Sequence, residues 1–142
     1  MAKVSVSVDL DAGADVVWEL LGDFNGLHQW HPAIAASRVE VHGGREQRIL
    51  SVTGGDRIIE QLEEHDPEAR RYVYTLVEGP MPVADYRSTL EVIPLEGERS
   101  RVVWSGRFDA AGVTESEAEK VIESVYQTGL DALKLKFNAQ RS

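Results

Sequence analysis

The stretch TESEAEKVIESVYQTGLDALKLKF, residues 114–137, decides the fold. Thr114 is a good N-cap, and Glu117 three residues on completes a capping box. Ala118, Val121, Ile122, Val125, Gly129, Ala132 and Leu133 recur at helical spacing, and Tyr126, Leu130 and Phe137 widen the stripe. Lys120, Glu123, Ser124, Gln127, Asp131 and Lys134 fall on the other side. A long helix with one wide apolar face must lie against something broad. Everything before it reads mostly as strands, so the expected partner is a curved sheet.

Working back toward the N-terminus, the period is two almost throughout. Val102, Trp104, Gly106 and Phe108 share one face of the last strand, and Tyr86, Ser88, Leu90 and Val92 one face of the strand before it. Two prolines exclude Glu78-Gly79-Pro80-Met81-Pro82 from a strand interior and make it a loop or plain turn. Tyr72, Tyr74 and Leu76 mark another strand, residues 57–64 another, and residues 48–52 another. Val39 and Val41 alternate with polar residues ahead of a Gly43-Gly44 turn. At the start, Val4, Val6, Val8 and Leu10 alternate with Ser5, Ser7 and Asp9.

Between the first two strands, Asp11 is placed to cap a short helix carrying Val17, Leu20, Leu21 and Phe24. A second short helix over residues 26–30 ends at Pro32. The order is strand, two short helices, six strands, long helix. Short turns between consecutive strands imply an antiparallel sheet, with the long helix on its packed face. The expected fold is α+β, of the helix-grip kind: a curved seven-stranded antiparallel sheet around the C-terminal helix, in one domain spanning residues 1–142.

Composition narrows the function. A net charge of −9 argues against a nucleic-acid partner and an anionic membrane surface. No apolar run is long enough to span a bilayer, so no integral membrane association is expected. No export signal is visible, which makes the cytoplasm the default expectation. The chain has no cysteine, hence no disulfide, thiolate metal site or cysteine nucleophile. His28 and His31 are at helical spacing, but two ligands do not make a metal site, and no metal or cofactor is expected. No nucleophile elbow, P-loop or dinucleotide glycine motif is present.

Several segments resemble the START-like (SRPBCC) superfamily, which includes the birch-pollen-allergen fold, and within it the bacterial polyketide cyclase/dehydrase and lipid-transport family. They are Val17-Trp18-Glu19-Leu20-Leu21, Asp23-Phe24-Asn25-Gly26-Leu27, Trp30-His31-Pro32, Glu60-Gln61-Leu62, Glu78-Gly79-Pro80 with Pro82, Tyr86, and Trp104-Ser105-Gly106-Arg107-Phe108. The resemblance implies a deep cavity between sheet and long helix, with the 78–82 loop over its entrance. The superfamily holds carriers, receptors and enzymes, so it does not set the activity.

Strand parity then selects what faces that interior. If Trp104 and Tyr86 point in, so does Ser88; Tyr72 and Tyr74 are the natural inward pair of their strand, and Glu60 is expected to point in with Ile58 and Leu62, because the alternative face of Arg57, Ile59, Gln61 and Glu63 is more polar. A three-residue connection at Thr53 to Gly55 would set Arg48 opposite Glu60 on the same face. A buried carboxylate needs such a partner. The pair is either a structural ion pair or a ligand anchor, and Glu60 could act as a general base if burial raised its pKa. His31, beside Trp30, borders the cavity mouth as a packing residue or proton carrier.

The expected ligand is a small hydrophobic molecule, such as a lipid, polyketide or isoprenoid. It would contact Trp30, Arg48, Glu60, Tyr72, Tyr74, Met81, Tyr86, Ser88, Trp104, Val125, Tyr126, Gly129 and Leu133. The enzymatic alternative is a cyclase or dehydratase with Glu60 and His31 as catalytic groups and Tyr74 or Tyr86 on the enolate oxygen. A third reading is an interaction or stress-response protein without a committed ligand. Gly129, costly inside a helix, marks either close packing or room for the ligand. The chain is expected to be a monomer or homodimer.

Overall fold

The computed structural model describes residues 1–138. Strand β1 (Ala2–Leu10) leads into helix α1 (Ala14–Leu21) and a 3-10 helix (Phe24–Gln29). Six strands follow: β2 (Ile34–His42), β3 (Arg45–Val52), β4 (Arg57–Asp66), β5 (Arg71–Glu78), β6 (Val83–Leu95) and β7 (Arg99–Ala110). Helix α2 (Glu115–Asn138) closes the described chain. The sheet is antiparallel with strand order β1-β7-β6-β5-β4-β3-β2, as a meander closed back by β1 requires. This is the helix-grip fold.

The local chemistry matches the elements. Thr114 Oγ1 accepts from the Glu117 amide at 3.1 Å, and the Glu117 carboxylate accepts from the Thr114 amide at 3.4 Å, so the capping box forms. Helix α2 buries Ala118, Ile122, Tyr126, Gly129, Leu130 and Leu133 and lies mainly against β1 and β7. At its far end Asn138 accepts from the Asp11 amide and donates to the Asp9 carbonyl. Bulges between Leu62 and Glu64 on β4 and between Ala84 and Arg87 on β6 bend the sheet around the helix. At the second bulge Asp85 adopts a φ of 51°.

Some boundaries differ from expectation. Gly13 caps α1, not Asp11, whose carboxylate instead reaches Arg99. The second short helix is a 3-10 turn that starts at Phe24, because Asp23 accepts from the Asn25 amide and opens it early. Val121 belongs to the apolar stripe by spacing, yet it is 38% exposed at the edge of the helix's footprint. Strand β6 continues through Pro94, which faces only β7 there, since pairing with β5 ends at Glu91. A missing amide therefore costs no ladder bond on the β5 side.

Candidate functional site

Three groups of polar side chains lie under α2, each held by a different part of the fold. The first grows from the β3–β4 hairpin. The Val52 amide donates to the Asp56 carbonyl at 2.8 Å, which leaves residues 53–55 as a three-residue connection; Arg48 pairs with Glu60 across the strands, and both side chains point inward. Arg48 is 0% exposed and Glu60 6%. Arg48 Nε and Nη2 each lie 2.8 Å from the same carboxylate oxygen, Oε1. Nη1 donates to the Phe24 carbonyl at 2.9 Å and to the Tyr72 hydroxyl at 3.2 Å. The rings of Phe24 and Tyr74 stand 4.3 and 4.8 Å from the guanidinium carbon. Burial works against the charge of Arg48, but Tyr72, Glu60 and Tyr74 outweigh it and hold the guanidinium protonated. Burial also pushes the Glu60 carboxyl above its ordinary range, against the pull of Arg48.

The second group spans β5, β6, β7 and α2. Ser88 Oγ donates to the Ser105 carbonyl at 2.9 Å, which uses its only proton. The Tyr126 hydroxyl, 2.9 Å from Ser88 Oγ, must therefore donate to it, and the Tyr86 hydroxyl in turn donates to Tyr126. Trp104 Nε1 is shared between the Tyr74 hydroxyl at 3.0 Å and Ser88 Oγ at 3.2 Å. The Trp104 and Tyr126 rings stack with centroids 4.5 Å apart. Burial raises the pKa of all four tyrosines, so each stays a neutral phenol.

The third group joins the end of the 3-10 helix to α2. His31 Nε2 lies 2.8 Å from the Val125 carbonyl, and the Ala33 amide donates to Nδ1 at 3.2 Å. A carbonyl only accepts and an amide N–H only donates, so these partners specify the neutral tautomer with its proton on Nε2. Burial lowers the His31 pKa, the Val125 carbonyl opposes this, and the charge of Arg48 adds to the lowering. A Cβ on Gly129 would stand 2.6 Å from His31 Cδ2 and 2.9 Å from Trp104 Cζ3. Of the two readings of Gly129, the close-packed one describes this geometry: the glycine lets the helix settle onto His31 and Trp104.

The residues selected from the sequence thus share one interior. Trp30 packs beside His31 and Trp104, and Leu133 is buried in the same core. Met81 and Val125 are only half-buried at its margin, and Met81 lies beside Gly79 with Leu76 and Ile58. The side chains expected to line a deep cavity meet one another directly. Phe24 was read from its spacing only as part of an apolar helical stripe; the turn at Asp23 brings its carbonyl and ring onto Arg48. Among the described residues no group of three potential ligands could hold a metal ion, and no helix is long and apolar enough to cross a membrane.

Comparison with known proteins fits this architecture. The protein XoxI from Bacillus cereus is 37% identical, with a TM-score of 0.91 over 96% of each chain. An uncharacterised protein from Bacillus thuringiensis is 36% identical, with a TM-score of 0.91 over 96% of this chain and 98% of that one. The Zhui aromatase/cyclase from Streptomyces sp. R1128 shares the fold at 24% identity, with a TM-score of 0.71 over 92% of this chain and 87% of its own. No curated protein matches the sequence. The family model described as polyketide cyclase / dehydrase and lipid transport matches residues 1–138. With its sheet, helix and matched length in agreement, the chain belongs to the polyketide cyclase/dehydrase and lipid-transport family.

Proposed function

We propose that the protein binds a small, largely apolar molecule with one polar end, between the sheet and α2. The Arg48–Glu60 pair carries this reading. A core needs no ion pair, and replacing a buried pair by apolar residues of similar volume is often neutral or stabilising. Here the pair is surrounded by aromatic faces suited to an apolar body, and Arg48 Nη2 is buried without a well-directed hydrogen bond. A ligand carboxylate, carbonyl or hydroxyl would engage Arg48, Glu60, Tyr72 and Tyr74, while Trp30, Met81, Tyr86, Ser88, Trp104, Val125, Tyr126 and Leu133 would contact the rest. Entry requires these side chains to part, and the half-buried margin at Met81 and Val125 is the place where least packing is lost.

The deciding experiment is the double substitution Arg48→Met with Glu60→Met, titrated with a fluorescent polyene fatty acid and followed by tryptophan quenching. Parent-like stability with at least about a tenfold loss of affinity, or about 1.4 kcal/mol, supports an anchoring role. Parent-like affinity would remove it.

A second reading has one specific observation behind it. The hydroxyls of Tyr72 and Tyr74 each accept a hydrogen bond, from Arg48 and Trp104, and neither donates in these contacts. Each retains a proton for a substrate oxygen, whereas Tyr86 spends its own on Tyr126. A cyclase or dehydratase would polarise a carbonyl there with Glu60 moving the proton, and His31 would first have to leave Val125. Turnover of a poly-β-ketone thioester that survives in both Glu60→Gln and His31→Ala would sink the catalytic assignment.

A further inference from the structure

The outer face of the sheet treats charge differently from the inner face. A groove of ≈740 Å³ crosses β1, β7, β6, β5 and β4 on the side away from α2. In a chain of net charge −9, its lining contains Lys3, Arg71, Arg87 and Arg107 against Glu64 and Glu91. Three of these cations stand in a row. Lys3 pairs in register with Arg107 on the neighbouring strand, and Arg107 with Arg87 on the next. Like charges directly opposite one another across strands are destabilising.

Two further features sharpen this. Arg87 reaches Glu64 at 3.2 Å, but among the described residues no carboxylate comes within ion-pair distance of Lys3, Arg71 or Arg107. The adjacent row across the same three strands is Ser5, Ser105 and Thr89, whose hydroxyls line the groove beside the cations. Packing explains part of the pattern, since the long side chains on β4, β5 and β6 cover Val73, which is 5% exposed. It does not explain Arg107 and Lys3, which lie two and three strands away.

We infer that this groove is a second site, which binds a soluble small molecule carrying two or three linked phosphates. Adjacent strands stand ~4.8 Å apart, so the row spreads its charges over ~10 Å. That span exceeds a single carboxylate and suits linked phosphates, with the arginine forks and serine and threonine hydroxyls as donors. The repulsion within the row is then relieved on binding. The site is independent of the interior, and its failure leaves the interior reading as it stands.

The test is an NMR titration of the full chain with sodium tripolyphosphate at constant ionic strength. The expected result is saturating amide shifts at Ser5, Thr89, Ser105 and Arg107. Affinity should fall at least about tenfold in Arg107→Thr and in Lys3→Gln, about the loss of one charge-assisted contact. The thermal midpoint without the anion should be equal to or above the parent's in both variants. Shifts that do not saturate, or that spread equally to Arg99 and Arg101, would overturn the site, as would unchanged affinity in both variants. Binding to vesicles of equal parts phosphatidylcholine and phosphatidic acid, without binding of tripolyphosphate, would overturn the assignment to a soluble ligand.

Discussion

Two faces of one sheet solve the problem of charge in opposite ways. On the inner face Arg48 is fully buried, and its neighbours supply a carboxylate, a carbonyl, a hydroxyl and aromatic faces. On the outer face Lys3, Arg107 and Arg87 stand side by side, and among the described residues only the last has an acidic partner. Burial accounts for the contrast. A lone charge under α2 would cost several kcal/mol, whereas solvent lets like charges sit together at little expense. Inner charges must therefore be paired for the chain to fold, and outer charges are free to be arranged for something else.

The largest effect should come from leaving one member of the inner pair alone. Glu60→Ala leaves the Arg48 guanidinium buried without its carboxylate, and Arg48→Ala leaves Glu60 without its counter-ion. Each should lower stability by about 3–5 kcal/mol in urea unfolding. A loss below about 1 kcal/mol in either would mean that water reaches the pair, and the contrast between the faces would weaken.

Next comes Gly129. Substitution to leucine forces the helix off His31 and Trp104, and overpacking of this kind costs about 1–3 kcal/mol. Even alanine should destabilise, although it gains ~1 kcal/mol of helix propensity, because His31 is held at both ring nitrogens and cannot swing aside freely. A Gly129→Ala protein more stable than the parent would show that α2 has slack at this point and that the close packing on His31 and Trp104 is not what the glycine serves.

The arrangement of strands was legible in the sequence, and so was the Arg48–Glu60 register. The length of the turn at residues 53–55 sets which residues oppose, and strand parity sets which face they take. Three things were not legible. The closure of the interior depends on how far α2 approaches the sheet, which spacing along a helix does not encode. The role of Phe24 depends on a 3-10 turn opened by Asp23. The outer row joins Lys3 on the first strand to Arg107 on the last, and only the closing of β1 onto β7 makes them neighbours.

A smaller effect should appear as pH dependence. His31 is held neutral with its pKa lowered from 6.5 in the fold, so the unfolded chain takes up its proton first. The stability it contributes is complete above about pH 6.5 and declines as pH falls from there through the depressed folded value. Urea midpoints measured on both sides of that window should show the decline in the parent and a flatter profile in His31→Gln. Identical profiles would mean that the histidine is as free to titrate as an outer-face group.

The smallest effect has the opposite sign. Arg107→Thr removes the middle charge of the outer row and puts a β-branched residue on a central strand, where such residues are at home. Stability without any anion should rise by about 0.2–1 kcal/mol at low salt, and the gain should shrink as salt is added. A charge inside cannot be removed without loss, and one outside should be removable with gain. If Arg107→Thr were destabilising and insensitive to salt, the arginine would be holding the sheet through its aliphatic stem. The row would then be packing, and nothing would be left to distinguish it from the long side chains that cover Val73.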